Sequence, residues 1–121
     1  LIIMSSVAGY RGLPYSGAYC SSKAALINYA ESIVNQSALH NIKVRVVNPG
    51  FIKTPLTDKN KFNMPLMITS DKAGKILYKK FLYSTKFEIN LPNIFCIIMK
   101  FLRVLPYSIY FKLTKLTLKK L

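Results

Sequence analysis

Leu1-Ile2-Ile3-Met4-Ser5-Ser6 opens the chain, Gly17-Ala18-Tyr19-Cys20-Ser21-Ser22-Lys23 follows, and Lys43-Val44-Arg45-Val46-Val47 then runs into Asn48-Pro49-Gly50. These three stretches decide the fold. The first is short and apolar up to its two serines, as expected of a strand buried on both faces of a parallel sheet. Between it and the second lie Gly9, Gly12, Pro14 and Gly17, which mark an irregular loop. From about Ala18 to Leu39 the spacing predicts a long helix, with Ala18, Ala24, Ala25, Leu26, Ala30, Ile33 and Val34 among its apolar positions. Asn41 suits a left-handed residue after its end. Lys43–Val47 is rich in β-branched residues and reads as a second strand, stopped by the Pro-Gly step. Strand, helix, strand in this order is a βαβ unit, which crosses over right-handedly into a parallel sheet.

The rest extends the same pattern. Thr54–Pro65 reads as a loop with room for one short helix. Ser70 is a candidate N-cap for a helix running to about Tyr83, with Ala73, Ile76, Leu77 and Phe81 on its core side. Phe87–Leu91 alternates apolar and polar and ends at Pro92, predicting a last strand. Asn93–Leu121 reads as helix interrupted at Pro106. The expected class is α/β with element order β-α-β-α-β plus C-terminal helices, divided into residues 1–92 and a basic helical extension, 93–121.

Chemistry concentrates in the first half. Tyr19 and Lys23 are four residues apart and share one helix face. A lysine ammonium beside a phenol stabilises the phenolate and makes tyrosine a usable general acid or base. Ser6, at the carboxyl end of the first strand, stands where ligands gather in doubly wound sheets. A Tyr-x-x-x-Lys pair alone is a weak signal, because such pairs arise on many solvated helices. Here Ile3 to Gly9 and Gly17 to Ala25 together resemble the active-site segment of the classical short-chain dehydrogenase/reductases, with Ser6 matching the serine that precedes the tyrosine by thirteen residues. Val44-Arg45-Val46-Val47-Asn48-Pro49-Gly50-Phe51-Ile52-Lys53-Thr54 resembles that family's strand and Pro-Gly loop beneath the nicotinamide.

The resemblance implies the C-terminal half of a Rossmann-like sheet and an NAD(P)-dependent hydride transfer on an alcohol or carbonyl. Tyr19 would then exchange the proton at the substrate oxygen. Lys23 would assist it and hold the nicotinamide ribose, and Ser6 would orient the carbonyl. Pro49, Gly50, Ile52 and Thr54 would line the cofactor pocket. The family's Gly-rich pyrophosphate turn and its Asn-Asn-Ala-Gly segment do not occur in these residues, and the chain opens on Leu1 inside an apolar run. Both observations lead to the expectation of a fragment lacking the nucleotide-binding half and inactive alone. The choice between NAD and NADP is not written in this half. The long helix after Tyr19 resembles the one many family members use to form homo-oligomers.

Charge is the other signal. The chain carries 18 Lys and Arg against 4 Asp and Glu, a net +14. Residues 93–121 hold six basic side chains and no acidic one. Pro106 and the interspersed charges argue against a spanning helix. After Pro106, Ile109, Leu113 and Leu116 fall on one stripe beside Lys112, Lys115 and Lys119, with Tyr107 and Tyr110 placed to sit at headgroup level. That pattern fits a helix at an anionic membrane surface, and equally one packed on the core with its lysines in water. No nucleic-acid-binding signature is present, so nucleic acid is not an expected partner. Cys20 and Cys96 lie in no metal-ligand spacing, so no metal is expected and a reducing cytoplasm is the simpler compartment. His40, the single histidine, suits a helix-end role. Phe62, Met64 and Met67 could line a lipophilic substrate pocket or serve as core contacts. Two readings therefore compete: the catalytic half of an oxidoreductase, or a non-catalytic remnant held to membranes by its tail.

Overall fold

The computed structural model describes residues 1–55, 57–59 and 64–118. Phe62 and Lys119 lie outside the described residues. Three strands, β1 (Ile2–Met4), β2 (Arg45–Pro49) and β5 (Glu88–Leu91), form one parallel sheet in the order β1-β2-β5. Ile3 pairs with Val46, and Asn48 with Asn90. Such pairing requires crossovers, and α1 (Gly17–Ala38) and α2 (Ser70–Tyr83) supply them. Two-residue strands β3 (Ile52–Lys53) and β4 (Ile68–Thr69) make a second small parallel pair, absent from the expected order because two residues leave no readable period. The helices α3 (Asn93–Val104) and α4 (Tyr107–Leu118) follow, broken at Pro106 as its missing N–H demands. The short helix expected after Thr54 is a 3₁₀ turn at Thr57–Lys59.

Both faces of the sheet carry helices. On one face Ile27 and Ala30 of α1 and Cys96 and Met99 of α3 pack with Ile3, Val44 and Val46. On the other, Ala73 of α2 packs with Val47, Ile89 and Leu91, flanked by Ile52, Ile76 and Leu77. The doubly wound α/β class is therefore present. Asn41 takes φ 59, the left-handed residue that ends the turn after α1.

Several local expectations change. β1 is covered on one face only: Ile3 is buried, while Ile2 and Met4 are exposed at the sheet's edge, because α2 reaches only β2 and β5. β2 begins two residues later than its apolar pattern and takes in Asn48 and Pro49, since the pairing with β5 runs as far as Leu91. The cap of α2 is Thr69, whose hydroxyl accepts from the Lys72 amide at 3.3 Å, and Ser70 is the first helical residue. Phe81 points outward, where the Arg45 guanidinium lies 5.7 Å from its ring centroid and donates to its carbonyl. Tyr110 is buried rather than at a headgroup position, because its hydroxyl donates to the Gly12 carbonyl at 2.6 Å.

Candidate functional site

The site grows from the carboxyl ends of β1 and β2. Ser5 and Ser6 leave β1 in opposite directions, as extended backbone dictates. Ser5 Oγ donates to the Lys23 carbonyl at 2.8 Å, tying the strand end to α1. Ser6 caps the 3₁₀ turn Val7–Gly9, accepting from the Ala8 amide at 3.2 Å, and its hydroxyl faces the Pro49 carbonyl at 3.3 Å. The two serines thus differ in their partners, Ser5 bonding α1 and Ser6 bonding its own turn and the Pro49 carbonyl.

Tyr19 and Lys23 occupy consecutive turns of α1, and the Lys23 ammonium lies 5.6 Å from the Tyr19 ring centroid. Lys23 Nζ also donates to the Met4 carbonyl at 3.4 Å. An ammonium has three donors, so this one long bond among the described residues leaves it capacity for a ligand. Tyr19 is 50% exposed, its phenol presented outward rather than packed away. Gly9 sets the seating of α1: a Cβ there would stand 2.8 Å from both carbonyl atoms of Lys23.

The Pro-Gly segment is held from two sides. Pro49 accepts from Ser6, while a Cβ on Gly50 would meet the Phe95 ring at 2.5 Å. The side chain of Ile52 packs against the α2-side core. Thr54 and Thr57 close on each other, the Thr54 amide donating to Thr57 Oγ1 at 2.8 Å. Ser6, Lys23 and Pro49 are thus brought to one end of the β1–β2 pair, whereas Ile52 and Thr54 belong to the segment beyond it. Met67 is exposed and sits on the approach to β4.

Two features were not legible beforehand. The first is a polar network beneath the site. Asn48 Nδ2 donates to Glu88 Oε1 at 2.8 Å and to the Tyr10 hydroxyl at 3.2 Å. Tyr10 in turn donates to Glu88, Asn90 Nδ2 donates to Glu88 Oε2 at 3.2 Å, and Lys100 closes an ion pair with the same carboxylate. Burial alone would push the Glu88 carboxyl up, but the hydrogen bonds from Lys100, Tyr10, Asn48 and Asn90 outweigh it and hold it below the usual range. Burial, reinforced by Glu88, pushes the Tyr10 phenol well above its ordinary value. The network clamps Tyr10, four residues after Ser6, to Asn48, the residue before Pro49. An asparagine interrupting an apolar strand was the one available signal, since a buried amide needs partners. The second feature is Arg11. Its Nη1 donates to the carbonyls of Leu102, Arg103 and Leu105 at 2.7, 2.9 and 2.7 Å, and its guanidinium lies 4.0 Å from the Tyr110 ring centroid. It caps the carbonyl end of α3 and fastens α4 to the loop that carries the site.

Comparison with known proteins adds an independent line. The short chain dehydrogenase family profile matches residues 1–65. An uncharacterized oxidoreductase of Myxococcus xanthus (strain DK1622) is 31% identical over 110 residues, covering 91% of this chain and 43% of that protein. The Nodulation protein G of Rhizobium meliloti (strain 1021) is 44% identical over 59 residues, 49% of this chain and 24% of its own length. The 3-oxoacyl-[acyl-carrier-protein] reductase FabG of Rickettsia prowazekii (strain Madrid E) matches to the same extent, at 44% over 59 residues. The chain therefore spans less than half the length of these relatives.

Proposed function

This chain belongs to the short-chain dehydrogenase family, and on that premise we propose that it carries the proton-transfer half of an NAD(P)-dependent oxidoreductase acting on an alcohol or carbonyl. The observation that supports the reading is the placement of Ser6, Tyr19 and Lys23. A hydroxyl oriented by Pro49 and an under-committed ammonium share the carboxyl end of a parallel strand pair, and the half-exposed Tyr19 ring stands 5.6 Å from that ammonium. That donor set fits a nicotinamide nucleotide, because an ammonium and a phenol together suit the vicinal hydroxyls of a ribose. The nicotinamide, when bound, supplies the hydride.

The chain's own residues do the rest. Tyr19 gives a proton to the substrate oxygen in reduction, or takes it in oxidation. Ser6 would turn its one hydroxyl proton from the Pro49 carbonyl to the same oxygen and stabilise charge growing on it. Lys23, its ammonium 5.6 Å from the Tyr19 ring centroid, would hold the ribose. Pro49 and Gly50, with the segment carrying Ile52 and Thr54 beyond them, would border the nicotinamide. We assign to these residues the chemistry of the site, and to none of them the grip on the adenine half. A homo-oligomer through the exposed side of α1, around Ala25 and Tyr29, belongs to the same proposal.

The test is turnover by the intact enzyme, followed by nicotinamide absorbance across alcohols and carbonyls. The panel includes a 3-oxoacyl thioester, for which the Rickettsia relative is named. Tyr19→Phe should lower kcat/KM by about 10² to 10⁴ while leaving cofactor affinity near its original value. Lys23→Met should weaken cofactor binding as well, read by NADPH fluorescence. Tyr19 is half exposed, so its replacement spares the core. Unchanged turnover in Tyr19→Phe would overturn the assignment.

A further inference from the structure

Helix α3 is apolar on two sides. Phe95, Cys96, Met99 and Leu102 face the core. Ile94, Ile97, Ile98, Phe101 and Val104 form a second stripe at helical spacing, and all five are exposed, from 46% at Ile98 to 74% at Val104. A helix resting on a globular core needs one apolar stripe, not two. α4 continues the surplus: Tyr110 is its single buried residue, while Ile109, Phe111, Leu113 and Leu116 are exposed. Isolated apolar residues on a surface require no explanation, but a contiguous set does.

The location and the charge narrow what covers this face. α3 packs against β5, the edge of the three-stranded sheet opposite β1. Residues 93–121 hold six Lys and Arg and no Asp or Glu. Lys100 is paired with Glu88, whereas Arg103, Lys112 and Lys115 are exposed beside the apolar stripes. A second copy would bring the same cations face to face. A phosphate backbone would satisfy them but would leave the isoleucines in water. An anionic lipid surface satisfies both, because hydrocarbon takes the apolar side chains and phosphates take the cations. No helix among the described residues is long and apolar enough to cross a membrane, which leaves the interfacial mode.

We propose that α3 and α4 form a docking face for anionic lipid, with Ile97 and Phe101 below the headgroup plane and Arg103, Lys112 and Lys115 at the phosphates. Arg11 joins the α3–α4 corner to the Ser6–Tyr19 loop, so the docked face and the site are carried on one body.

The chain contains no tryptophan, so Phe101→Trp provides a single fluorescent reporter at an exposed position. On vesicles of phosphatidylcholine with phosphatidylserine its emission should shift to the blue, and the protein should pellet with them. Binding should fade with added salt. Lys112→Glu with Lys115→Glu should cut it by at least about tenfold. Ile97→Asp should do the same on the apolar side, with far-ultraviolet circular dichroism unchanged because Ile97 is exposed. Three outcomes would overturn the proposal. One is an unshifted reporter on every vesicle, and another is equal binding to pure phosphatidylcholine. The third is vesicle-independent self-association or duplex binding that Ile97→Asp or the lysine reversals abolish, which would make the face a subunit or nucleic-acid surface.

Discussion

Alanine at Gly9 and alanine at Gly74 are one chemical change with opposite expected signs. At Gly9 the new Cβ would stand 2.8 Å from Lys23 C and O and 2.8 Å from Ile27 Cδ1. Ile27 has rotamers to retreat into, but the backbone of α1 has none. Overpacking of this kind costs about 1–3 kcal/mol. Pushing α1 outward also stretches the Ser5 hydroxyl bond to the same Lys23 carbonyl, now 2.8 Å, at about a further 1 kcal/mol. Restricting the unfolded chain returns about 0.4–1 kcal/mol. The expected net for Gly9→Ala is a destabilisation of about 2 kcal/mol. At Gly74, within α2, nothing lies within 4 Å of the added Cβ. There the helix preference of alanine should stabilise by about 1 kcal/mol. The assay is urea unfolding of the intact chain by far-ultraviolet circular dichroism. With a slope of about 1–1.5 kcal/mol per molar, the two midpoints should lie roughly 2 M apart on either side of the parent. Midpoints within about 0.5 M of each other would refute the view that the Gly9–Lys23 approach sets the seating of α1.

Glu88→Gln removes the charge on which Lys100, Tyr10, Asn48 and Asn90 converge, and should cost about 2 kcal/mol near neutral pH after allowing for the partly exposed Lys100. The folded carboxyl lies below its ordinary range. Its stabilisation is therefore present above the unfolded value of about 4.3 and is lost as pH falls through the folded value. Parent and variant should converge in thermal unfolding at acid pH; a gap that persists there contradicts the network. Cys20 and Cys96 are both buried, and burial pushes the Cys96 thiol up to about 11. Neither should react with Ellman's reagent in the native protein at neutral pH, and both should react in guanidinium. Rapid native labelling of Cys96 would contradict its place on the core face of α3.

What was readable in the sequence, and what was not, follows the reach of each interaction. The placement of Ser6 after a strand end and of Tyr19 and Lys23 on adjacent helical turns was legible because those relations are local. The order of strands and helices was legible for the same reason, through periodicity and breakers. The cap of α2 was misplaced by one residue because Thr69 and Ser70 offer the same capping chemistry, and only backbone angles separate them. Tyr10, Asn48, Glu88 and Asn90 gave no joint signal, because the partners are far apart along the chain and each alone is an ordinary polar residue. Arg11 gives no local signal in the sequence. Its role depends on three carbonyls that meet only after α3 has docked. For Tyr110 periodicity leaves a headgroup and a core position equally open, because it describes faces and not the loop that lies over them.

The parallel pairing of β1, β2 and β5 has a kinetic corollary. Ile2 meets Arg45, and Val46 meets Glu88, so each pairing joins residues more than forty positions apart. No hairpin exists in this sheet to start it locally, and loop closure must be met before any ladder bond forms. The early local structure therefore falls to α1, whose 22 residues form within their own sequence and shorten the path between β1 and β2. Folding speed should depend on the helix that carries Tyr19 and Lys23, so the stretch that holds the chemistry is also the one on which assembly of the sheet waits.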